Sequence, residues 1–259
     1  MEREKLNRVV VLAIAVVVAG VLLWRYAGEK TPDMRSPSVT PLQDIGPKSG
    51  TPSDAPAQSD GKGGRSGSMI QSVPFIAQAP FGEWDDEVFQ DACEEASMIM
   101  AMAWVHGTSL TPEGGKQEIQ NITQLENKTF GAFTPDMSIA DTARIMQAYY
   151  SYDKVEVLQN VSIDDIKKLL ADGPLVIAPM NGQALGNPHF TQPGPLEHML
   201  VIIGHDAASH EFVTNDPGTK EGASYRYDEN VLYQALREYP TGNHLPIANP
   251  AKTVIAVKK

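Results

Sequence analysis

From residue 26 to residue 68 the chain has no hydrophobic period at all, and this gap decides where a core can be built. Its runs TPDMRSPSVTP, GPKSGTPSDAP and SDGKGGRSGS are Pro, Ser, Gly, Asp and Lys rich, a composition that cannot bury enough apolar surface to offset chain entropy. Residues 26–68 are therefore expected to be a disordered linker, and the folded part must come from residues 69–259, read as one domain. A linker of this length and composition spans about 30 to 40 Å on average, at about 5 to 6 Å times the square root of its length.

Before the linker, Val9 to Trp24 reads VVVLAIAVVVAGVLLW with charges only outside it, a helix length of about 24 Å at a rise of about 1.5 Å per residue. Trp24 and Tyr26 suit a headgroup region, and Arg8 and Arg25 can snorkel to the two interfaces. Residues 9–25 are read as a transmembrane signal anchor and residues 1–8 as a short cytoplasmic tail. A cleaved signal peptide or a buried core helix are the alternatives. Without a small-x-small cleavage signal or a lipobox cysteine after the run, a retained anchor is the expectation. Basic residues flank the span on both sides, so the charge rule does not set orientation; the short tail and long polar stretch favour an extracytoplasmic domain.

Residues 1–68 hold nine Lys and Arg and seven Asp and Glu of the chain's 21 and 32. The remaining 12 basic and 25 acidic residues make the domain strongly acidic, with no basic run. Nucleic acid is excluded as a partner, because phosphate binding needs clustered cations; a neutral or cationic substrate suits the charge better. The single cysteine, Cys93, rules out an intrachain disulfide and any multi-cysteine metal site. Cys93 is either inert packing or chemistry.

Its neighbourhood argues for chemistry. Asp91 to His106 contains no Gly or Pro and is apolar nearly all round after one turn, which predicts a central buried helix with Asp91 and Glu94 as a capping pair and Gly107 as its stop. Cys93 then lies in the first turn, where free N–H groups favour a thiolate, while Glu94 and Glu95 oppose one by like charge. Helical spacing predicts surface helices over 112–126 and 138–150, and Ser162 with Asp165 opens a helix that Gly173 closes. Short β-type runs follow at 175–178, 199–203, 211–214, 224–227 and 253–257. Helices first and strands later is an α+β pattern.

Of six histidines, His198 stands at the head of the strand MLVIIG, a rigid place for a base. His205, seven residues on, is placed by alternation on the opposite face, so no shared metal site is expected, and no cofactor. Asp216 opens the turn N-D-P-G after the next strand. If the two strands form an antiparallel hairpin, Asp216 returns beside His198 and can fix its tautomer; alternatively it only starts the turn. An oxyanion donor is expected from Gln78, in an extended stretch, or from Gln90, three residues before Cys93. The segment 180–196 before His198 is either a lid or rim, or a plain exposed loop.

The series VPFIAQAP, DACEEAS, LADGPLVI, EHMLVIIG and NDPG, in that order and spacing, resembles the papain-fold cysteine peptidases related to the bacteriocin-leader-processing peptidases, in their stand-alone, C-thirty-nine-like form, over residues 72–257. The resemblance implies a papain-like fold, helical part followed by an antiparallel sheet, and a thiol peptidase of peptide or protein substrates. It implies Cys93 as nucleophile, His198 as general base, Asp216 as the orienting residue and Gln78 as oxyanion donor. Where transporter-linked relatives carry glycine after the cysteine, this chain has Glu94, so leader cleavage does not carry over. An acyltransferase or cell-wall amidase using the same triad, or a non-catalytic tethered binding module, are the competing functions.

Overall fold

The computed structural model describes residues 69–131, 135–248 and 250–259. The proposed tail, anchor and linker lie outside these residues. Among the described residues, no helix is long and apolar enough to cross a membrane.

The elements run β1 (Met69–Ile70), α1 (Glu87–Gln90), α2 (Cys93–His106), α3 (Pro112–Phe130), α4 (Ile139–Tyr150), β2 (Val155–Leu158), α5 (Ile163–Asp172), β3 (Leu175–Met180), α6 (Gly182–Leu185), β4 (His198–Asp206), β5 (Glu211–Asn215), β6 (Tyr225–Asp228), α7 (Glu229–Ala235) and β7 (Val254–Val257). Every strand pair is antiparallel, in the order β2-β7-β3-β4-β5-β6, with β1 added against β4. The α+β expectation, with helices first and an antiparallel sheet after them, describes this architecture.

Period-two alternation divides the core. Leu175, Ile177, Met199, Val201, Ile203, Val213, Ile255 and Val257 pack with α2, α3 and α4 on one face. Val176, Ala178, Leu200, Ile202, Phe212 and Val254 face α5 and α7 on the other. Because β3 and β4 are covered on both faces, they are apolar from Leu175 to Met180 and from Met199 to Ile203, as central strands are. Helix α2 is buried from Cys93 to Trp104, the expected outcome for a helix with no polar face.

The caps show how local signals held or failed. Ser162 and Asp165 form the reciprocal capping box of α5, and Gly173 closes that helix in the left-handed region at φ 111°, a backbone conformation that strains any residue with a side chain. The capping pair expected at Asp91 and Glu94 does not form. Helix α2 starts at Cys93 with Ala92 as a side-chain-free cap, and Asp91 instead ends α1. The carboxylate of Glu94 is taken by distant groups described below, and that tertiary demand overrides the local one. The short elements β1, β2, α1, α6 and α7 carry too few residues for a periodic signal.

A second correction concerns His205. The β4–β5 register shifts between Ile202 and Gly204, and the extra residue of that bulge restores His205 to the face of Leu200 and Ile202. There its ring tilts on Phe212 at 5.1 Å and bonds Glu229 of α7 at 2.8 Å. His198 and His205 thus share a face, yet seven residues of strand, about 23 Å, separate them.

Candidate active site

His198 is the first residue of β4 and Asp216 the first after β5. The antiparallel hairpin pairs Val201 with Asn215 and so returns Asp216 to the head of β4. His198 Nε2 and Asp216 Oδ1 lie 2.8 Å apart, and both side chains are sealed from solvent. With Nε2 engaged, Nδ1 is the nitrogen left to exchange a proton.

Asp216 also accepts from Gly218 N–H at 3.0 Å on Oδ1 and from the Tyr227 hydroxyl at 2.6 Å on Oδ2. Burial pushes its carboxyl up, but the His198 charge and the hydrogen bonds from His198, Tyr227 and Gly218 outweigh it and hold the carboxyl below its ordinary value. The turn glycine has a steric reason: a Cβ at Gly218 would stand 2.9 Å from His198 Cε1 and 2.9 Å from Phe190 Cε1. Phe190 meets the imidazole edge-on, with ring centroids 5.2 Å apart.

Cys93 opens α2, where a first-turn N–H has no acceptor within the helix. Its thiol donates to Glu94 Oε2 at 3.0 Å, and no hydrogen bond joins it to His198 among the described residues. Burial, then the charge and hydrogen bond of Glu94, then Glu95 and Asp136, push the thiol well above its ordinary value. Glu94 Oε1 accepts from the Tyr239 hydroxyl at 2.7 Å and from Met137 N–H at 3.2 Å. Burial first, and the neighbouring Glu95, push Glu94 up to about 8. Behind it, Thr123 donates to Glu95 at 3.2 Å, and burial pushes Glu126 up to about 8.

Gln78 joins the two halves. Its backbone N–H donates to Pro217 O at 2.9 Å, beside Asp216, and its side-chain nitrogen donates to the carbonyls of Phe89 and Gln90, just ahead of Cys93. Gln78 is buried whereas Gln90 is exposed, and only Gln78 touches both sides. In this arrangement the amide clasps the approach to α2. Releasing one of its N–H groups toward Cys93 is what an oxyanion donor would require.

A mixed cluster borders the site. His244 Nδ1 lies 3.1 Å from Asp136 Oδ2 and 3.6 Å from Glu197 Oε2, and His244 N–H donates to Asp136 at 2.8 Å. The three side chains bring one ligand-type atom each within 4.8 Å of one another. Burial pushes the Asp136 carboxyl up to about 6. Arg237 also approaches Glu197, at 4.0 Å, so a standing cation borders the cluster.

Sequence reasoning named His198, Asp216, Cys93 and Gln78 but not Tyr227, Asn187, Phe190 or Tyr239. The segment 180–196 carried the one available hint, as a long connection just before His198. Its Asn187 and Phe190 wall the imidazole and its partners rather than forming an open rim.

A family model described as the Peptidase_C39 like family matches residues 70–242. Among solved structures, a Bacillus anthracis protein described as a C39-like peptidase is 17% identical, with 74% of this chain and 98% of that chain covered and a TM-score of 0.45. No curated protein matches the chain in sequence.

Proposed function

This chain belongs to the Peptidase_C39 like family, and we propose that it is a thiol peptidase acting through Cys93, His198 and Asp216, tethered to a membrane by residues 9–25 with its domain extracytoplasmic. The observation that carries the reading is the sealed His198–Asp216 pair at 2.8 Å. A solvent-free carboxylate on Nε2 selects the tautomer that has its lone pair on Nδ1, and it favours the imidazolium that forms when that nitrogen takes a proton.

In the proposed reaction His198 Nδ1 takes the thiol proton as Cys93 Sγ bonds to the substrate carbonyl carbon. The oxyanion is met by the Cys93 N–H and a Gln78 N–H. The amide C–N bond then breaks, the amine leaves with the proton held on Nδ1, and the acyl group stays on Sγ. Water, deprotonated by Nδ1, attacks that thioester, releasing the acid and restoring the thiol. The expected substrate is a peptide or protein; a neutral or cationic one fits the acidic domain, and nucleic acid does not.

One observation favours a second reading, a non-catalytic binding module: the Cys93 thiol is buried and hydrogen-bonded to Glu94. A cleavage screen of peptides and surface proteins with the full chain separates the two. Loss of all cleavage in Cys93→Ala, with the variant's melting temperature unchanged, supports the peptidase; cleavage that persists sinks it. Membrane fractionation of the chain with and without residues 9–25 tests the tether.

A further inference from the structure

Resting on the triad reading above, we propose that Tyr227 and Asn187 are positioning residues for the reaction, forming a buried relay that fixes the direction of every proton up to His198. Asn187 Nδ2 donates to the Tyr227 hydroxyl at 2.7 Å, Tyr227 donates to Asp216 Oδ2 at 2.6 Å, and Asp216 Oδ1 meets His198 Nε2 at 2.8 Å. Asn187 is 1%, Tyr227 4% and Asp216 0% exposed, so water does not compete for these bonds.

The proton order follows from two backbone groups that can only donate. His189 N–H points at Asn187 Oδ1 at 3.0 Å, which identifies that atom as the amide oxygen and turns Nδ2 toward Tyr227. The Tyr227 oxygen thus receives a proton from Asn187, and its own single proton must go to Asp216 Oδ2. At the other oxygen, Gly218 N–H donates to Oδ1 at 3.0 Å. Asp216 is held below its ordinary value, so both of its oxygens accept, the Nε2 proton belongs to the imidazole, and in the neutral ring the lone pair is on Nδ1.

The relay has a mechanical consequence. His198 from β4, Tyr227 from β6 and Gly218 of the turn that Asp216 opens hold the carboxylate, and Asn187, from the segment between α6 and β4, holds the Tyr227 hydroxyl. Without the hydroxyl, Asp216 is free to turn away from Nε2, and the imidazole can adopt the tautomer that leaves no base toward the thiol.

Cys93 is the chain's one cysteine, so iodoacetamide labelling of the full chain reports on a single sulfur and requires no known substrate. We expect Tyr227→Phe to slow Cys93 alkylation at about pH 6 by on the order of tenfold and to raise the half-maximal pH by on the order of one unit. Asn187→Ala should shift the profile the same way by less. The double variant should be no worse than Tyr227→Phe alone, because members of one relay are not additive. Asn187→Gln, which can still donate, should recover part of the loss.

A change in melting temperature with an unmoved pH profile, or losses that add in the double variant, would overturn the relay. So would a Tyr227→Phe profile that coincides with wild type while Asp216→Asn shifts it; in that case the triad stands and only the relay falls. If His198→Ala and Asp216→Asn both leave the profile unchanged, the triad reading itself fails, and the relay fails with it.

Discussion

Two carboxylates on either side of the site are equally sealed from water and yet are driven in opposite directions. Asp216, 0% exposed, is held below its ordinary value, while Glu94, 1% exposed, is pushed up to about 8. Burial alone raises both. Asp216 answers it with the His198 charge and three donors, whereas Glu94 has Glu95 beside it and no cation among its causes. Burial pushes a sealed acid up, and the shift turns downward only where a neighbouring cation and donors outweigh it. On the proposed reading, the base half, His198 and Asp216, is thereby arranged for charge, and the nucleophile half, Cys93 and Glu94, is arranged to stay neutral until the base acts on it.

The comparison breaks most decisively at Asp216. Asp216→Asn keeps the shape but removes the charge, and kcat on any cleaved peptide should fall by on the order of 10³ to 10⁴-fold with KM little changed. A loss below about tenfold would mean that the base half does not need its carboxylate.

Gln78 belongs to both halves, so Gln78→Ala should cost on the order of 10² in kcat, while Gln90→Ala stays within about twofold. Steady-state kinetics on the two variants decides which glutamine serves the oxyanion; equal losses would return both to a role in holding the approach to α2.

The nucleophile half is probed by Glu94→Gln, which keeps the size and the acceptor for Tyr239 and Met137 N–H but removes the charge beside the thiol. Since Glu94 takes up its charge near about pH 8, the variant's Cys93 alkylation should match wild type at pH 6 and exceed it several-fold at pH 9. Equal rates at pH 9 would show that burial, not the neighbouring charge, holds the thiol up.

The smallest effect is on stability. Glu94 and Glu126 bind a proton more tightly folded than unfolded, because their folded values near 8 lie above the ordinary 4.5. Their stabilisation is fully present below about pH 4.5 and is lost as pH rises through about 8. The melting temperature should fall by more than about 5 °C from pH 5 to pH 9, and Glu126→Gln should flatten that fall. A melting temperature that rises over this range would invert the comparison.

Much of this was legible in the residues. The apolar circumference of α2 placed it at the centre, the β4–β5 hairpin was enough to bring Asp216 to His198, and the Ser162–Asp165 cap formed as read. The cap expected at Asp91 and Glu94 failed because Glu94 is claimed by Tyr239, 145 positions away, a partner that local spacing cannot register. His205 changed faces because a single bulge residue reverses all parity beyond it, and bulges leave no dependable mark in a sequence.

By itself the sequence determined the types of the longer elements, the central helix with Cys93 at its start, and the order of the residues proposed to carry the chemistry, because period, caps and turn residues act within a few positions. Only the tertiary structure decided which histidine nitrogen is free, that Tyr227 and Asn187 stand behind Asp216, and that the thiol rests on Glu94. Those outcomes depend on which polar groups are sealed together away from water. Such groups must find partners wherever the fold brings them, whatever their distance along the chain.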